Sequence, residues 1–532
     1  MVGLLKTMTT EGQDGARAST LDLPREELEA LAQTFCRMAL DHLASPEGLP
    51  VFPETSAARV AELFRGGLPR EGVGLGALAG ACAEVVRHSR QNGHPRMFGY
   101  VTSPATPVGA FASLLAAALN SNVTSWRSAP GPTEVERTVV GWLAELIGFK
   151  GAGVNEASGG LLTSGGSMAN LNAVFVAHRA HARRAAGGAE GVAADGTARN
   201  PSLAGLWGAG APATLYASDQ THLSIPKAAD LLGLGREQVR VVPSDARFRL
   251  DVRLLRERIE ADERAGLRPF CVVANAGAVS TGAVEPLREV AGVARERGLW
   301  FHVDGAYGAL AASAPSKRAL FEGLAEADSV SLDPHKWLYT PLGVGCLLLR
   351  EPERARAAFA GTEESYIQVF EREEDEAFAF WDYGPELSRP FRALKVWAAL
   401  SYYGARRVAA AIEEDCATAA HMAALVAAAE DFEPGAPVTL GICCFRYVPP
   451  AARRELEEAD DARREELNRR LDELNAGVVQ RVQRGGEAYV SNAVLGGRFW
   501  LRASVTNFRT TRRDVELTLD VIRRAARELE GE

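Results

Sequence analysis

The middle of the chain alternates short apolar segments with longer stretches of helical periodicity. Six apolar segments have the length and composition of strands: TLYAS, QVRVV, FCVVANAG, LWFHVDG, DSVSLD and GCLLLR. Strands that alternate with helices form βαβ units, whose crossovers build a mostly parallel sheet with helices on both faces. The pattern therefore predicts an α/β fold.

Other patterns flank this region and indicate where domains begin and end. Residues 1–20 are small and polar, which predicts a disordered tail, and residues 21–125 form a helix-rich segment in which Pro24 stands at the start of the first helix. A large domain is expected over residues 126–395. Residues 396–532 are predicted to form a smaller C-terminal α+β domain, with strands at TLGICCFRYV and RFWLRASV and one charged helix, AARRELEEADDARREELNRRLDELNAGVVQRV, between them.

Charge and hydropathy argue against several classes of partner. The 532 residues are 47% hydrophobic and 24% charged, as is usual for a soluble globular protein, and the formal net charge is −9. No block of Lys and Arg stands apart from Asp and Glu, which argues against nucleic acid or an anionic membrane. The longest apolar runs are much shorter than the roughly 20 residues that a membrane span requires. The N-terminal segment lacks the apolar core of a secretory signal.

The cysteines bear on the cellular compartment. The seven cysteines are an odd number, are scattered along the chain and lack CxxC spacing. Disulfides persist in oxidising compartments, and zinc sites require clustered ligands. We therefore expect reduced thiols, a cytoplasmic location and no metal site.

Four polar segments carry candidate chemistry, and the first is a glycine-rich turn that opens a helix. In TSGGSMANL, the exposed N–H groups of residues 164–167 and the helix dipole favour an anion, and the glycines let a phosphate approach closely. Such turns are also common as plain helix caps, so this segment alone does not define a site.

Two further segments follow predicted strands, where ligands bind in doubly wound sheets. His222 lies in SDQTHLS and can lay its ring on a flat cofactor, although a lone His is more often an ordinary loop residue. Asp304 lies in HVDGAYG at the end of an apolar strand, where a carboxylate is costly without a cationic partner such as a protonated pyridine nitrogen. The alternative for Asp304 is a cap of the next helix.

The fourth segment, DPHKW, places Lys336 shortly after the strand DSVSL. A lysine is seldom buried at the end of a strand, and an aldehyde cofactor requires an amine nucleophile with which it forms a Schiff base. A phosphate turn, a stacking His, a pyridine-binding Asp and a Schiff-base Lys are together the groups that pyridoxal 5'-phosphate (PLP) requires. The combination predicts a PLP enzyme.

The four motifs resemble the signature of the group II PLP-dependent decarboxylases, which include the aromatic-L-amino-acid, glutamate and 2,4-diaminobutyrate decarboxylases. The resemblance extends from HPRMFGY, at about His94, to the end of the chain. It implies PLP fold type I, which is aspartate aminotransferase-like, and a homodimer with active sites at the subunit interface.

The resemblance also implies roles for the residues around the cofactor ring. Lys336 is implied to form the Schiff base, Asp304 to pair with the pyridine nitrogen and His222 to stack on the ring. Ala306 is implied to pack on the other face of the ring.

Further roles concern the phosphate and the proton donor. Gly166 and Ser167 are implied to bind the phosphate, with His335 close by. The mobile loop of the family carries a tyrosine that reprotonates the substrate carbon, and Tyr366 in GTEESYIQVF is the matching candidate, with His335 as the other possible donor. A surface tyrosine in a flexible loop is the alternative interpretation of Tyr366.

The chain departs from the family pattern at the strand FCVVANAG. Many relatives continue this strand into a Gly-Thr step whose hydroxyl lies near the cofactor, whereas here Ala278 follows Gly277. Asn275, Ser280 and Thr281 are the candidates to replace that hydroxyl.

The predicted substrate site is defined by three residues. Before the shared Trp126, this chain has Asn122 and Thr124 where aromatic-specific relatives have apolar and aromatic residues, which suggests a more polar pocket. Arg502 in FWLRASVTN matches a family arginine that can meet a carboxylate, or it forms a structural ion pair.

The sequence thus predicts PLP-dependent decarboxylation of an L-amino acid to its amine and CO₂. An aromatic amino acid is the best single candidate, and an acidic or diamino acid is the alternative substrate. Other PLP reactions remain open, namely those of an aldehyde synthase, an aminotransferase or a carbon–carbon lyase. From a different class, a non-catalytic scaffold with the same fold is the alternative, against which the intact Lys336, Asp304 and His222 argue.

Overall fold

The computed structural model of the protein describes most of the chain. The described residues are 21–149, 159–185, 212–359 and 376–531. The predicted tail, residues 1–20, and the candidate proton donor Tyr366 lie outside them. The chain divides into two compact units.

The smaller unit comprises residues 1–48 and 55–89. Its described part contains the helices α1 (Arg25–Ala44), α2 (Ala57–Phe64) and α3 (Leu75–Arg87). Helix α1 begins directly after Pro24, as predicted, and its first turn carries Glu26 and Glu27. Acidic side chains in this position stabilise a helix because they face the positive end of its dipole.

The larger unit, residues 49–54 and 90–532, is built on a seven-stranded sheet. Its strands are β1 (Gly160–Thr163), β2 (Ala213–Ser218), β3 (Val239–Val242), β4 (Arg268–Asn275), β5 (Trp300–Asp304), β6 (Ser329–Leu332) and β7 (Gly345–Leu349). The strand order is β1-β7-β6-β5-β4-β2-β3, and among these described strands β7 runs antiparallel to the other six. All six predicted strands are present, and the mostly parallel sheet is confirmed.

The helices of this part are α4 (Pro107–Leu119), α5 (Pro130–Ile147), α6 (Gly166–Ala185), α7 (Ser224–Leu231), α8 (Val252–Arg264), α9 (Leu287–Arg297), the single turn α10 (Pro334–Trp337) and α11 (Glu353–Phe359). Helices α5, α6, α8 and α9 pack against strands of the sheet. Every residue of β2, β5, β6 and β7 is buried. Because successive side chains of a strand point to opposite faces, both faces of the sheet are covered.

The C-terminal part adds a second, antiparallel sheet. It contains α12 (Ala393–Tyr403), α13 (Ala405–Ala428), β8 (Phe432–Pro434), β9 (Ile442–Tyr447), α14 (Pro450–Glu458), α15 (Asp461–Gly485), β10 (Ser491–Leu495), β11 (Arg498–Ser504) and α16 (Arg512–Gly531), with strand order β10-β11-β9-β8. The prediction of a single charged helix between the strands was wrong. Two helices form, because the side chain of Asp460 accepts the backbone N–H of Arg463 at 2.8 Å and caps the start of α15.

None of the helices in the described part of the chain is long and apolar enough to cross a membrane. No group of three or more His, Cys, Asp or Glu residues within it is arranged to hold a metal ion. All seven cysteines lie within it, and each of them is a free thiol.

Candidate active site

A cavity of about 740 Å³ lies where the central strands end. Strand β5 ends at Asp304, and the turn that follows β6 carries Lys336. His222 and Ala306 line the same cavity. The structure therefore brings together the four residues predicted to surround the cofactor ring, at the carboxyl ends of parallel strands.

Asp304 is held by three hydrogen bonds and is only 7% exposed. Its Oδ2 accepts from Nδ2 of Asn170 at 2.8 Å, and its Oδ1 accepts from Oγ of Ser331 and from the backbone N–H of Ala306, both at 3.2 Å. These donors suit an ionised carboxylate, which only accepts hydrogen bonds. They also fix the orientation of the carboxylate at the cavity wall.

The ring of His222 is part of the same polar arrangement. Its Nδ1 lies 2.9 Å from Oγ of Ser224 and accepts the backbone N–H of Ser224 at 3.2 Å. Burial lowers the pKa of His222 below its usual 6.5, and the negative charge of Asp304 opposes that change. A neutral imidazole at the cavity can stack on a planar cofactor ring.

Lys336 meets the cavity with its amine paired to a carboxylate. Its Nζ lies 2.9 Å from Oδ2 of Asp333, which is almost fully buried. Asp333 belongs to the DPHKW motif, but the sequence analysis gives it no role. The pair places an amine nucleophile in the position that the motif predicts.

The turn that carries Lys336 is anchored to α13. Nε1 of Trp337 and the hydroxyl of Tyr339 both donate to Oδ2 of Asp415, at 3.1 and 2.7 Å. The Trp337 ring also stacks on Tyr307, with 4.8 Å between ring centroids. Asp415 could not be predicted from the sequence, because an acidic residue in the middle of an amphipathic helix carries no local signal.

The buried Asp415 predicts a pH-dependent stability. Burial raises the pKa of Asp415 from 3.8 to about 7. A carboxyl whose pKa is raised by folding stabilises the folded state fully below pH 4, and this contribution is lost as the pH rises through 7. Asp415→Asn keeps an acceptor oxygen but does not titrate. As the pH rises from 4 to 8, the free energy of unfolding of the variant should therefore increase by a few kcal/mol relative to that of the wild type. Denaturant unfolding midpoints of both proteins measure this difference. Parallel pH curves would contradict it.

The predicted phosphate turn lies at the start of α6. Gly166 and Ser167 line the cavity, as does His335. A Cβ added to Gly166 would lie 2.7 Å from Cβ of Ala306 and 2.9 Å from Oδ2 of Asp333. Only glycine therefore permits this close approach of the backbone.

His335 is fixed by the backbone around it. Its Nδ1 lies 2.6 Å from the carbonyl oxygen of Val344, and its own carbonyl accepts from Oγ of Ser103 at 2.7 Å. A carbonyl oxygen only accepts, so Nδ1 carries a proton, and Nε2 lies 3.8 Å from Oδ2 of Asp333.

Arg502 lines the cavity and is 4% exposed. Its Nε donates to the carbonyls of Val279 and Ser280 at 2.9 and 3.2 Å, and its Nη1 donates to the carbonyl of Tyr100 at 2.9 Å and to Oγ of Ser491 at 3.2 Å. Nη2 is buried and has no hydrogen-bond partner among the described residues. A charged donor left in this state suits a carboxylate ligand.

The three candidates to replace the hydroxyl that relatives carry after Gly277 differ in whether they reach the cavity. Asn275 and Ser280 line the cavity, whereas Ala278 and Thr281 are not among the residues that line it. Nδ2 of Asn275 donates to Oε1 of Glu285 at 3.0 Å, so this amide already has a buried partner.

Asn122 and Thr124 are not among the residues that line this cavity. Oδ1 of Asn122 accepts the backbone N–H of Arg389 at 2.8 Å. The carbonyl of Thr124 accepts the backbone N–H of Phe380 at 2.8 Å. Within one chain the structure does not bring these two residues to the cavity, and their role in substrate binding stays a prediction.

Asn170 is a site residue to which the sequence analysis assigns no role. It lies one helical turn after Gly166 and is buried between Asp304, Ser224 and His302. Its position within TSGGSMANL, on the helix that carries the phosphate turn, is the signal that points to it.

The residues at the cavity fit PLP. Gly166 and Ser167 open helix α6 at the cavity, where backbone N–H groups can bind a phosphate, Asp304 is a buried acceptor, and Lys336 supplies the amine. At the same cavity, Nη2 of Arg502 has no hydrogen-bond partner among the described residues and can donate to a carboxylate.

Comparisons with known proteins agree with this chemistry. Residues 62–448 match the pyridoxal-dependent decarboxylase conserved domain. The chain is 31% identical to the aromatic-L-amino-acid decarboxylase of Bacillus atrophaeus, over 96% of this chain and 98% of that protein. It is 29% identical to a phenylacetaldehyde synthase of Petunia hybrida, over 81% of this chain and 80% of that protein.

A solved structure shows the same fold. The structure of Oryza sativa TDC with PLP and tryptamine superposes with a TM-score of 0.84 at 27% identity, and the match covers 96% of this chain and 100% of that one. This likeness confirms PLP fold type I and PLP as the cofactor. The chain belongs to the pyridoxal-dependent decarboxylase family, whose members are PLP-dependent amino acid carboxy-lyases.

Proposed function

We propose that the protein decarboxylates an aromatic L-amino acid to the corresponding amine and CO₂. The observation that carries the proposal is the cavity at Lys336 and Asp304, whose lining residues include Tyr100, Val101, Leu342 and Ala493. Aromatic and aliphatic residues at the cavity that holds the reactive amine suit an apolar aromatic side chain. The 31% identity to an aromatic-L-amino-acid decarboxylase supports the same substrate class.

The residues at the cavity divide the work of the reaction. Lys336 would hold PLP through its amine, and Gly166 and Ser167 would hold it through its phosphate. When bound, PLP accepts the electron pair that CO₂ leaves behind. Asp304 would keep a proton on the ring nitrogen, and His222 would stack on the ring. The cavity wall would orient the substrate so that its carboxylate is the group lost, as CO₂.

A second substrate class is favoured by one observation. Nη2 of Arg502 is buried at the cavity without a partner among the described residues. An arginine bound to the carboxylate that leaves as CO₂ would stabilise the reactant and oppose its loss. Arg502 therefore suits a second carboxylate, which an acidic L-amino acid carries and an aromatic one lacks.

Amine detection across a panel of L-amino acids tests the proposal. We expect kcat/KM for phenylalanine, tyrosine or tryptophan to exceed that for glutamate and aspartate by at least tenfold. The reverse order would replace the proposal with the acidic substrate class. Arg502→Gln supplies the control, since it should weaken an acidic substrate much more than an aromatic one.

Tyr366 separates decarboxylation from aldehyde synthesis. We propose that its hydroxyl protonates the substrate carbon after CO₂ has left, a step that the synthase reaction lacks. In Tyr366→Phe the carbon would stay open to O₂, and with water this produces aldehyde, ammonia and hydrogen peroxide. CO₂ release should then persist while amine falls several-fold and aldehyde and peroxide rise together. Equal losses of CO₂ and amine would mean that Tyr366 only positions the substrate.

We also propose a cytoplasmic homodimer, in which Asn122 and Thr124 serve the cavity of the neighbouring subunit. Their absence from the lining of their own cavity supports a role in the other one. Two-fold pairing is the commonest symmetry of soluble oligomers. Light scattering should give twice the mass of the 56.8 kDa chain. A fully active monomer would overturn both the dimer and the role of these two residues across the interface.

A further inference from the structure

A continuous set of buried hydrogen bonds lies behind the residues that face the cofactor ring. It is centred on Asn170, which is 1% exposed. Nδ2 of Asn170 lies 2.8 Å from Oδ2 of Asp304 and 2.9 Å from Oγ of Ser224, and its Oδ1 lies 3.0 Å from Nε2 of His302. One amide thus contacts three different polar side chains.

The chemistry of these groups fixes the orientation of the amide. A carboxylate only accepts hydrogen bonds, so the nitrogen of Asn170, and not its oxygen, faces Asp304. The amide oxygen is left for His302 and only accepts, so Nε2 of His302 carries a proton. Burial lowers the pKa of His302 below 6.5, which leaves the ring neutral and its Nδ1 without a proton.

The far side of the network agrees with this assignment. Nδ1 of His302 lies 2.9 Å from Oγ of Ser329, which also accepts from Nε1 of Trp300 at 2.8 Å. An indole nitrogen only donates. The hydroxyl of Ser329 therefore accepts from Trp300 and donates to His302. Every donor in this network of hydrogen bonds then has an acceptor.

The near side reaches His222. Oγ of Ser224 accepts one amide hydrogen of Asn170, so its own hydrogen is free to bind Nδ1 of His222 at 2.9 Å. The backbone N–H of Ser224 approaches the same Nδ1 at 3.2 Å. Two donors at Nδ1 leave the ring proton on Nε2.

We propose that Asn170 is a positioning residue that holds the carboxylate of Asp304 and, through Ser224, sets His222 as the Nε2–H tautomer. The amide supplies two donors and one acceptor, and all three are used. Leucine has a similar shape and none of these groups, and aspartate would set a second negative charge against Asp304. The inference rests on the cofactor of the family and not on the substrate proposed above.

The wild-type protein provides the first test. Histidines are labelled with ¹⁵N in the cofactor-free protein, and the signal of His222 among the nine histidines is assigned by its loss in His222→Gln. At neutral pH we expect a protonated Nε2 and an unprotonated Nδ1 that accepts hydrogen bonds. A protonated Nδ1 on His222 would overturn the proposal without any change at Asn170.

Variants at position 170 provide the second test, with PLP affinity as the readout. Asn170→Leu and Asn170→Asp should each raise the Kd of PLP for the cofactor-free protein about tenfold or more, since a hydrogen bond to a charged group is lost. Asn170→Leu should also shift the ¹⁵N signal of His222 Nδ1, because the hydroxyl of Ser224 loses the donor that directs its own hydrogen to that nitrogen.

Asn172 offers a matched control. It lies on the same helix, is 2% exposed, and its Nδ2 has no hydrogen-bond partner in the described part of the chain. Asn172→Leu should therefore leave the Kd of PLP within twofold. The proposal fails if both variants at position 170 bind PLP within twofold of the wild type with an unchanged His222 signal. If Asn170→Leu does not fold, Asn170→Asp and the wild-type spectrum decide. Neither readout depends on the substrate, so a different amino acid specificity would leave this test unaffected.

Discussion

Lys336→Ala should abolish turnover and the yellow absorbance that PLP gives when it forms a Schiff base with a protein amine. Nζ of Lys336 is the amine at the cavity wall, and alanine leaves no nucleophile in its place. PLP would still meet the phosphate turn and Asp304, so weak, non-covalent binding should remain. Absorbance spectra and amine release of the purified variant measure both effects.

Lys395→Ala is the matched control for this experiment. Burial lowers the pKa of Lys395 to about 8, which makes it a competent nucleophile, but its Nζ donates to the carbonyl of Leu342 at 2.9 Å and it is not among the residues that line the cavity. This variant should keep the yellow colour. If Lys336→Ala retained full activity and a lysine adduct reducible by borohydride, the assignment of the Schiff-base residue would be wrong.

Asp304→Ala should retain some PLP but lose roughly 10² to 10⁴ in kcat. Without the carboxylate, the ring nitrogen loses the partner that keeps it protonated and attracts electrons less strongly. Asp304→Asn sharpens the experiment, because it keeps the shape and an acceptor for Ser331 while it removes the charge and replaces the acceptor that faces Asn170 with an NH2 group. The kcat of both variants should therefore fall by a similar factor.

The measurement is kcat at saturating PLP, so that weaker cofactor binding does not imitate slower chemistry. Asp262→Asn is the control, since Asp262 is a buried acid on α8 whose partners are Tyr216 and Arg240. It should change stability and leave kcat near that of the wild type. A kcat for Asp304→Asn within threefold of the wild type would exclude the proposed role.

The pattern of apolar residues predicted six of the seven strands of the central sheet and missed strand β1. Five of the six predicted strands are fully or mostly buried, whereas β3 has two buried residues of four, and the apolar composition of the buried strands separates them from the helices around them. Strands β1 and β8, of which β8 lies in the C-terminal sheet, were not predicted; they have four and three residues. Strands β3 and β6 also have four residues but were predicted, so length alone does not explain why β1 was missed. The break between α14 and α15 depends on one side-chain cap at Asp460, which a long run of charged residues conceals.

The predicted cavity residues meet because most of them follow strands whose carboxyl ends share one edge of the sheet. His222, Asp304 and Lys336 follow β2, β5 and β6 in this way. Asn170 and Asp415 escape prediction because each lies inside a helix, where its role depends on what packs against that helix. Asn122 shows another limit: it was predicted to bind the substrate, and it is not among the residues that line the cavity of its own chain.

The close approach at the phosphate turn has a consequence for how this protein tolerates sequence change. A Cβ on Gly166 would collide with Ala306 and Asp333, whereas a Cβ on the adjacent Gly165 would meet only ordinary contacts, 3.7 Å from Cε1 of His335 and 3.9 Å from Oδ1 of Asp333. In a library of single substitutions, selection for function should therefore remove even alanine at Gly166 and retain it at Gly165. Two neighbouring glycines of one motif are thus under unequal evolutionary constraint.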